Sequence, residues 1–163
     1  MAKKKAEVKT NAMRILDNLK IPYETQSYEC KEFEDGSHTA DMLGLNHDEV
    51  YKTLICHGKD KNYYAFVIPI DEELDMKKAA KSVGEKSVEM IHVKDLKDIT
   101  GYVRGGCTSV GLKKPYPVRI DESAKEKERI YVSAGKVGCQ MNLAPEDLCL
   151  AAKGEFADII RQS

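Results

Sequence analysis

The chain has 163 residues, of which 42% are hydrophobic and 33% are charged, the size and make-up of one ordinary globular domain. Its 26 Lys and Arg residues nearly balance 27 Asp and Glu, whereas proteins that hold nucleic acid by its phosphates alone normally carry a strong basic excess. This balance argues against a stand-alone, high-affinity RNA-binding protein, so any RNA contact needs a local patch or a partner.

Neither a membrane span nor a secretory signal is indicated. The longest apolar run, Tyr63 to Ile70, is far shorter than the roughly 20 residues that a spanning helix needs. Residues 1–10 are polar and Lys-rich, and no apolar stretch follows them. We therefore expect a cytoplasmic protein with a flexible lead-in at residues 1–10 and a single domain over residues 11–163.

Helices and strands alternate irregularly in the first half of the chain. Ala12, Leu16 and Leu19 recur at helical spacing, and Asp75 and Gly84 are typical of the start and end of a helix. Asn46, with Glu49 three residues later, resembles a capping box. The predicted order is helix 11–19, strand 22–29, helix 38–45, a hairpin of strands 50–57 and 63–70, and helix 76–83.

The second half contains a dense glycine region at residues 101–111. Around it we predict strand 88–93, a helical turn at 94–99, strands 118–121 and 129–133, and helices 145–151 and 154–161. A doubly wound parallel fold needs regular strand–helix alternation, which the hairpin breaks. The pattern instead favours an α+β domain with a mixed or mostly antiparallel sheet.

The cysteines and histidines do not form a metal-binding pattern. Five cysteines occur without any CxxC pair, which argues against zinc-ribbon and thioredoxin-like sites, and free thiols are expected in a reducing cytosol. Cys56 and Cys149 stand in apolar segments and are expected to pack as small hydrophobes. The four histidines lack metal-ligand spacing. We therefore expect neither a metal nor a cofactor.

Lys52 is the first candidate for a functional residue. In a strand it shares a face with Val50 and Leu54, and a lysine on an apolar face is costly unless its ammonium finds partners or reaches a cleft. A lysine at an edge strand whose stem lies on apolar surface while its head reaches solvent explains the pattern as well.

Two glycine-containing segments are further candidates. In the loop of residues 101–111, Gly105 and Gly106 permit close approach of backbone N–H groups to an oxyanion or a phosphate, although a plain tight turn also fits. The loop spacing matches neither a P-loop nor a dinucleotide fingerprint. Ser133 ends a strand before Gly135, and it is either a hydroxyl that orients a substrate or an ordinary strand-end serine.

Taken together and in order, these segments resemble the YbaK family of trans-acting aminoacyl-tRNA editing proteins. The resemblance extends from about Asn11 to Arg161, and its most specific parts are a Tyr-Lys-Thr strand, a Gly-Tyr-x-x-Gly-Gly loop and a Tyr-Val-Ser-x-Gly-Lys turn. It is carried by Val50-Tyr51-Lys52-Thr53-Leu54, by residues 74–81, by Thr100-Gly101-Tyr102-Val103-Arg104-Gly105-Gly106, by residues 130–136 and by Phe156-Ala157-Asp158-Ile159.

The resemblance implies an α+β domain with a barrel-like mixed β-sheet flanked by helices, related to the editing insertion of prolyl-tRNA synthetase. It also implies removal of cysteine from Cys-tRNA(Pro), with the substrate thiol attacking its own ester. The partners implied are the 3′ end of an aminoacylated tRNA and prolyl-tRNA synthetase, and neither DNA nor a membrane. Catalytic roles fall on Lys52, Gly105 and Gly106, and substrate-binding roles on Tyr28, Thr53, Ser133 and Gly135.

Two departures from the family pattern concern specificity. Many members have Ser-Pro where this chain has Thr108-Ser109, and many have an acidic residue at the position of Gln140. A deacylase for another small amino acid such as alanine, which would need an activated water, is therefore an open alternative. So is a non-catalytic module that binds a nucleotide or tRNA for regulation.

Overall fold

A computed structural model describes residues 9–27, 40–41 and 43–161 of the chain. Its strands are β1 (Glu24–Ser27), β2 (Tyr51–His57), β3 (Tyr63–Pro69), β4 (Glu89–Met90), β5 (Val118–Asp121), β6 (Ile130–Lys136), β7 (Cys139–Leu143) and β8 (Glu155–Ala157). Four of the α-helices are α1 (Asn11–Asn18), α2 (Met76–Ser82), α3 (Leu96–Thr100) and α4 (Pro145–Ala152). In this described part of the chain, no helix is both long and apolar enough to cross a membrane.

The strands form two sheets. One is antiparallel with the order β1-β7-β6, and the other is mixed with the order β4-β2-β3-β5-β8, in which β3, β5 and β8 run parallel. The predicted hairpin is confirmed, because β2 and β3 pair antiparallel along their full length. An isolated parallel bridge between Val50 and Tyr131 joins the two sheets. The α+β prediction with a mixed sheet is confirmed.

The main core lies between the two sheets and α1. Thr10 begins α1 by accepting a hydrogen bond from the Met13 N–H at 3.1 Å, and Ala12, Met13 and Leu16 are buried. Leu19, which we expected on the same apolar face, ends the helix and is 48% exposed. The helix is thus confirmed, while its apolar stripe is one turn shorter than predicted.

A second core covers the other face of the mixed sheet, beneath α2. Asp75 begins this helix as predicted, because its carboxylate accepts from the backbone N–H groups of Lys77 and Lys78, both at 3.0 Å. Ala79 and Ala80 pack on Phe66 and Ile68 of β3. Both faces of β2 and β3 are therefore covered.

The predicted helix at residues 154–161 is wrong. Glu155–Ala157 forms strand β8, which pairs with β5, and Ile159 is buried. The carboxylate of the buried Asp121 accepts from the Ile159 N–H at 3.1 Å, which anchors the extended chain. Pairing with a distant strand overrides the local helical periodicity here.

Other predicted boundaries are also corrected. The strand expected at 88–93 is reduced to Glu89–Met90, since a 3₁₀ turn begins at Val93. The strand expected at 22–29 is observed over Glu24–Ser27, beyond which residues 28–39 lie outside the described part of the chain. Asn46 precedes a 3₁₀ turn at His47–Glu49 without a side-chain capping bond, so the capping box is not formed.

Candidate functional site

Lys52 lies on the face of β2 that points away from the main core. Tyr51 and Ile55, on the opposite face, are buried in that core, whereas Lys52 is half-buried. Its Nζ donates to the carbonyl oxygen of Ile70 at 3.1 Å. An ammonium has three N–H donors, and Nζ has no second acceptor in the part of the chain that the structure describes, so two donors are available for a ligand.

The bridge between the sheets brings Ser133 to the side of Lys52. Val50 and Tyr131 are paired in parallel, and both side chains contact the cluster formed by Ala40, Val50 and Ile70. Side chains two residues further along a strand lie on the same face, so Lys52 and Ser133 occupy corresponding positions on one side of this junction. The side chain of Thr53, by contrast, lies on the core-facing side of β2, as that of Tyr51 does. The strand therefore does not place it beside Lys52.

Ser133 continues into a polar row across the antiparallel sheet. It pairs with Gln140, which in turn pairs with Gln26, so the three side chains share one face. The Oε1 atom of Gln140 is buried and has no hydrogen-bond partner among the described residues. An unsatisfied buried acceptor is costly, and a bound donor would satisfy it.

Gly135 shapes the end of β6. It adopts φ +105, and its N–H donates to the Ser133 Oγ at 3.1 Å, which fixes the serine hydroxyl as an acceptor for the turn. The register between β6 and β7 is irregular between Ser133 and Lys136. A side chain at position 135 would lie 3.1 Å from the ring of Tyr102. The strand end and the glycine loop are therefore in contact.

Gly106 makes a second contact between the loop and this strand end. A Cβ atom at Gly106 would lie 2.9 Å from backbone atoms of Lys136 and Val137, so the loop approaches β6 at a distance that only glycine permits. The structure thus brings the Gly105–Gly106 loop to the turn that follows Ser133.

The two glycines differ in their backbone donors. The Gly106 N–H donates to the Val103 carbonyl oxygen at 2.9 Å, so it is already used within a β-turn. The Gly105 N–H has no acceptor in the part of the chain that the structure describes, and Gly105 adopts φ +86. We expected the N–H groups of both glycines to face an oxyanion. Only the Gly105 N–H remains a candidate for that role.

Thr108 and Ser109, where the chain departs from the family pattern, are buried. They are 0% and 3% exposed, and neither hydroxyl has a hydrogen-bond partner among the described residues. Tyr102 holds this part of the loop, because its hydroxyl donates to the Val110 carbonyl oxygen at 2.6 Å. The remaining predicted site residue, Tyr28, lies outside the described residues.

The thiols of Cys56, Cys107 and Cys149 are not activated as nucleophiles. Burial raises the pKa of the Cys56 and Cys107 thiols to about 12 and also raises that of Cys149, which makes all three poor nucleophiles at neutral pH. The Ser133 hydroxyl accepts from the backbone N–H of Gly135, and the imidazole of His47 is bonded to two carboxylates. Over the same residues, no cluster of three His, Cys, Asp or Glu side chains could hold a metal ion.

Sequence reasoning missed one arrangement next to this site. The imidazole of His47 lies between the carboxylates of Asp41 and Asp71, with Nε2 and Nδ1 each 2.7 Å from a carboxylate oxygen. Asp71 follows Ile70, the residue whose carbonyl accepts from Lys52. The separation of 24 residues between His47 and Asp71 leaves no local signal that could have indicated the contact.

Comparisons with known proteins identify the family of this chain. A family model described as an aminoacyl-tRNA editing domain matches residues 31–149. A protein of Enterococcus faecalis, provisionally named Cys-tRNA(Pro)/Cys-tRNA(Cys) deacylase EbsC, is 45% identical over 162 residues, which cover 98% of each chain.

Solved structures show the same fold at low sequence identity. A protein provisionally described as a trans-editing enzyme for prolyl-tRNA synthetase superposes with a TM-score of 0.79 at 19% identity, covering 96% of this chain and 100% of that one. The hypothetical protein APE2540 superposes with a TM-score of 0.84 at 21% identity, covering 93% and 100%. At these identities the likeness concerns the fold alone.

Proposed function

The chain belongs to the aminoacyl-tRNA editing domain family, and on this premise we propose that it is a deacylase that removes cysteine from mischarged Cys-tRNA(Pro). The 45% identity to the provisionally named Cys-tRNA(Pro)/Cys-tRNA(Cys) deacylase supports the cysteine ester as substrate. A hydrophobic synthetase pocket rejects a near-isostere by only about 100-fold, so a second site that clears the error is the expected remedy.

The observation that carries the proposal is the position of Lys52. Its ammonium is held by one bond to the Ile70 carbonyl and faces the same side of the sheet junction as Ser133. Its two remaining donors suit the phosphate or ribose oxygens of a tRNA 3′ end, or the ester oxygen. Lys52 is thus our candidate for the cation that positions the aminoacyl ester.

The attacking atom is the sulfur of the substrate cysteine. It forms a bond to its own ester carbonyl carbon, the bond from that carbon to the ribose oxygen breaks, and the thiol proton ends on the ribose oxygen. The products are a cyclic thiolactone and free tRNA. The raised pKa values of Cys56 and Cys107 support this route, since neither of these thiols is activated as a nucleophile.

The surrounding groups position the ester and stabilise charge. The Gly105 N–H is our candidate donor to the developing oxyanion, because it has no acceptor among the described residues. Gly106 holds the loop against β6, and Gly135 fixes the Ser133 hydroxyl beside the substrate. Tyr28 is retained as a candidate substrate contact, whereas Thr53, on the core-facing side of β2, is not. Such a site works by positioning and electrostatics.

Prolyl-tRNA synthetase is the proposed partner, and the cytosol is the proposed location. The net charge of −1 leaves little general attraction for tRNA, so a synthetase that already holds the mischarged tRNA would supply selectivity. Co-migration of the protein with synthetase and tRNA in gel filtration, and its loss without synthetase, is the expected result.

The function is tested by measuring release of cysteine, serine and alanine from the same tRNA(Pro). Only the cysteine ester has a thiol that can cyclise, so it alone should be cleared rapidly. Equal release of alanine would instead indicate a water-activating deacylase. If none of the three esters is deacylated, a non-catalytic binding module is favoured.

A further inference from the structure

Both nitrogens of the His47 ring are hydrogen-bonded to carboxylates. Nε2 lies 2.7 Å from Asp41 Oδ1, and Nδ1 lies 2.7 Å from Asp71 Oδ2. The imidazole is 30% exposed, while the two carboxylates are 72% and 53% exposed. We call this arrangement the His47 bridge.

The partners determine the protonation state that the bridge needs. An ionised carboxylate only accepts hydrogen bonds, whereas a neutral imidazole donates from one nitrogen and presents a lone pair at the other. Only the imidazolium can donate to both Asp41 and Asp71. In agreement with this geometry, the pKa of His47 is raised above its usual 6.5. The largest cause is the hydrogen bond to Asp41, followed by the hydrogen bond to Asp71.

The His47 bridge connects two parts of the chain that meet next to Lys52. Asp41 follows Ala40, which is buried with Val50 and Ile70. Asp71 follows Ile70, whose N–H donates to the Val50 carbonyl at 2.9 Å and whose carbonyl accepts from Lys52 at 3.1 Å. The bridge therefore ties Asp41 and the turn at His47 to the strand end that carries the Lys52 acceptor.

We propose that His47 is a positioning residue of this site: its imidazolium holds Asp41 and Asp71 together and so fixes the Ile70 carbonyl that orients Lys52. The proposal rests on the deacylase function proposed above. Deprotonation of His47 opens one side of the bridge, and substrate binding then weakens as the pH rises.

Neighbouring charges favour the imidazolium. The turn that contains His47 also carries Asp48 and Glu49, and Glu72 lines the same shallow cavity from the segment after β3. Lys127 is the opposing cation from the segment before β6, and it pairs with Asp48 at 2.9 Å. Tyr51, also in this cavity, shares a hydrogen bond with Ser123 at 2.8 Å. Among the described residues that line this cavity, carboxylates thus outnumber cations.

The sign of the pH dependence follows from the raised pKa. The bridge is complete at pH values below the usual histidine pKa of 6.5 and is lost as the pH rises through the raised value of the folded protein. Titration of the substrate thiol affects every variant alike. The ratio of variant to wild-type kcat/KM at each pH therefore isolates the contribution of His47.

The test uses His47→Ala, His47→Arg and, as a matched control, His57→Ala with Cys-tRNA(Pro) across the pH range. At acidic pH we expect kcat/KM of His47→Ala to be roughly three- to fivefold lower than that of wild type, a small loss because partly exposed ion pairs are weak. At alkaline pH the ratio of the two values should approach one. Arginine is a permanent double donor, so the His47→Arg ratio should rise with pH. The loss should appear in KM rather than kcat.

Two further measurements test the role of His47 if an arginine side chain does not fit between Asp41 and Asp71. In Asp71→Asn the amide can donate to the neutral ring, so this ratio should also rise with pH. Amide exchange of Leu45 and Val50, corrected for intrinsic rates, should accelerate in His47→Ala, while that of Ala79 in α2 should not. Because this comparison of His47→Ala with wild type needs no substrate, it tests the bridge even if the protein proves inactive on Cys-tRNA(Pro).

Ratios for His47→Ala and His47→Arg that do not change with pH would overturn the proposal. Unchanged exchange at Leu45 and Val50 in His47→Ala would also overturn it. A pH dependence that disappears in His57→Ala instead would assign the effect to the other histidine.

Discussion

The ammonium of Lys52 donates to the carbonyl oxygen of Ile70, 3.1 Å away, at the end of the neighbouring strand. β2 and β3 pair Lys52 with Ile68, so Ile70 lies two residues beyond the paired position. The lysine stem therefore follows the sheet surface, and its head is fixed at the junction with β6. A flexible side chain is thus held in place before a substrate arrives, which lowers the entropic cost of binding.

The buried carboxylate of Asp121 ties β5 to the segments that contain Ser123 and Ile159. Asp121 is 1% exposed, and its carboxylate accepts from the Ser123 and Ile159 N–H groups, both at 3.1 Å. Asp121→Ala leaves two backbone donors without an acceptor, so we expect a loss of about 3 kcal/mol in the free energy of unfolding. Denaturant titration measures this change. The more exposed cap variant Asp75→Ala should lose only about 1 kcal/mol.

Gly106 tests the contact between the loop and β6. In Gly106→Ala the new Cβ would meet the backbone of Lys136 and Val137 at 2.9 Å, so the loop must move away from the strand end. We expect deacylation to fall by about 100-fold, the cost of roughly 1 Å of misplacement. Gly101→Ala is the matched control, because its Cβ meets nothing within 4 Å, although its φ of +86 carries strain. A deacylation rate of Gly106→Ala no lower than that of Gly101→Ala would contradict the assigned role of this contact.

The thiols of Cys56 and Cys107 should be unreactive in the folded protein. Burial raises the pKa of Cys56 and Cys107 to about 12, so alkylation by iodoacetamide at pH 8 should be slow until the chain is denatured. The same shift makes stability fall as the pH rises through the unfolded thiol value of 9.0, because the unfolded chain then loses protons that the folded protein keeps. Rapid native-state alkylation of Cys107 would show that its loop opens.

The alternation of apolar residues in β2 was enough to predict the face of Lys52, because that signal is local. Strand β8 was predicted as a helix, since its partner β5 lies more than thirty residues away in sequence and the periodicity of Phe156 and Ile159 fits either state. The glycine pair was located from sequence. Its geometry was not, because the close approach of Gly106 to Lys136 and Val137 arises only from the fold. The contact of His47 with Asp71 likewise arises only from the folded topology.

Two variants distinguish the contribution of the Lys52 alkyl chain to activity from the contribution of its charge. Lys52→Met keeps the length and removes the cation, whereas Lys52→Arg keeps the charge with a different donor geometry. We expect intermediate activity for Lys52→Arg, and circular dichroism and thermal melting should show both variants folded. Full activity of Lys52→Arg would indicate that charge alone is needed at this position.

The role of the Lys52 ammonium is tested by the single-turnover rate of cysteine release from Cys-tRNA(Pro) by wild type, Lys52→Met and Lys78→Ala. Lys78 is a matched control, because its Nζ also donates to a backbone carbonyl, that of Ile160, at 3.1 Å. The account predicts a loss of about 100-fold or more for Lys52→Met, as for removal of one charge-stabilising donor, and little change for Lys78→Ala. A wild-type rate in Lys52→Met would contradict it.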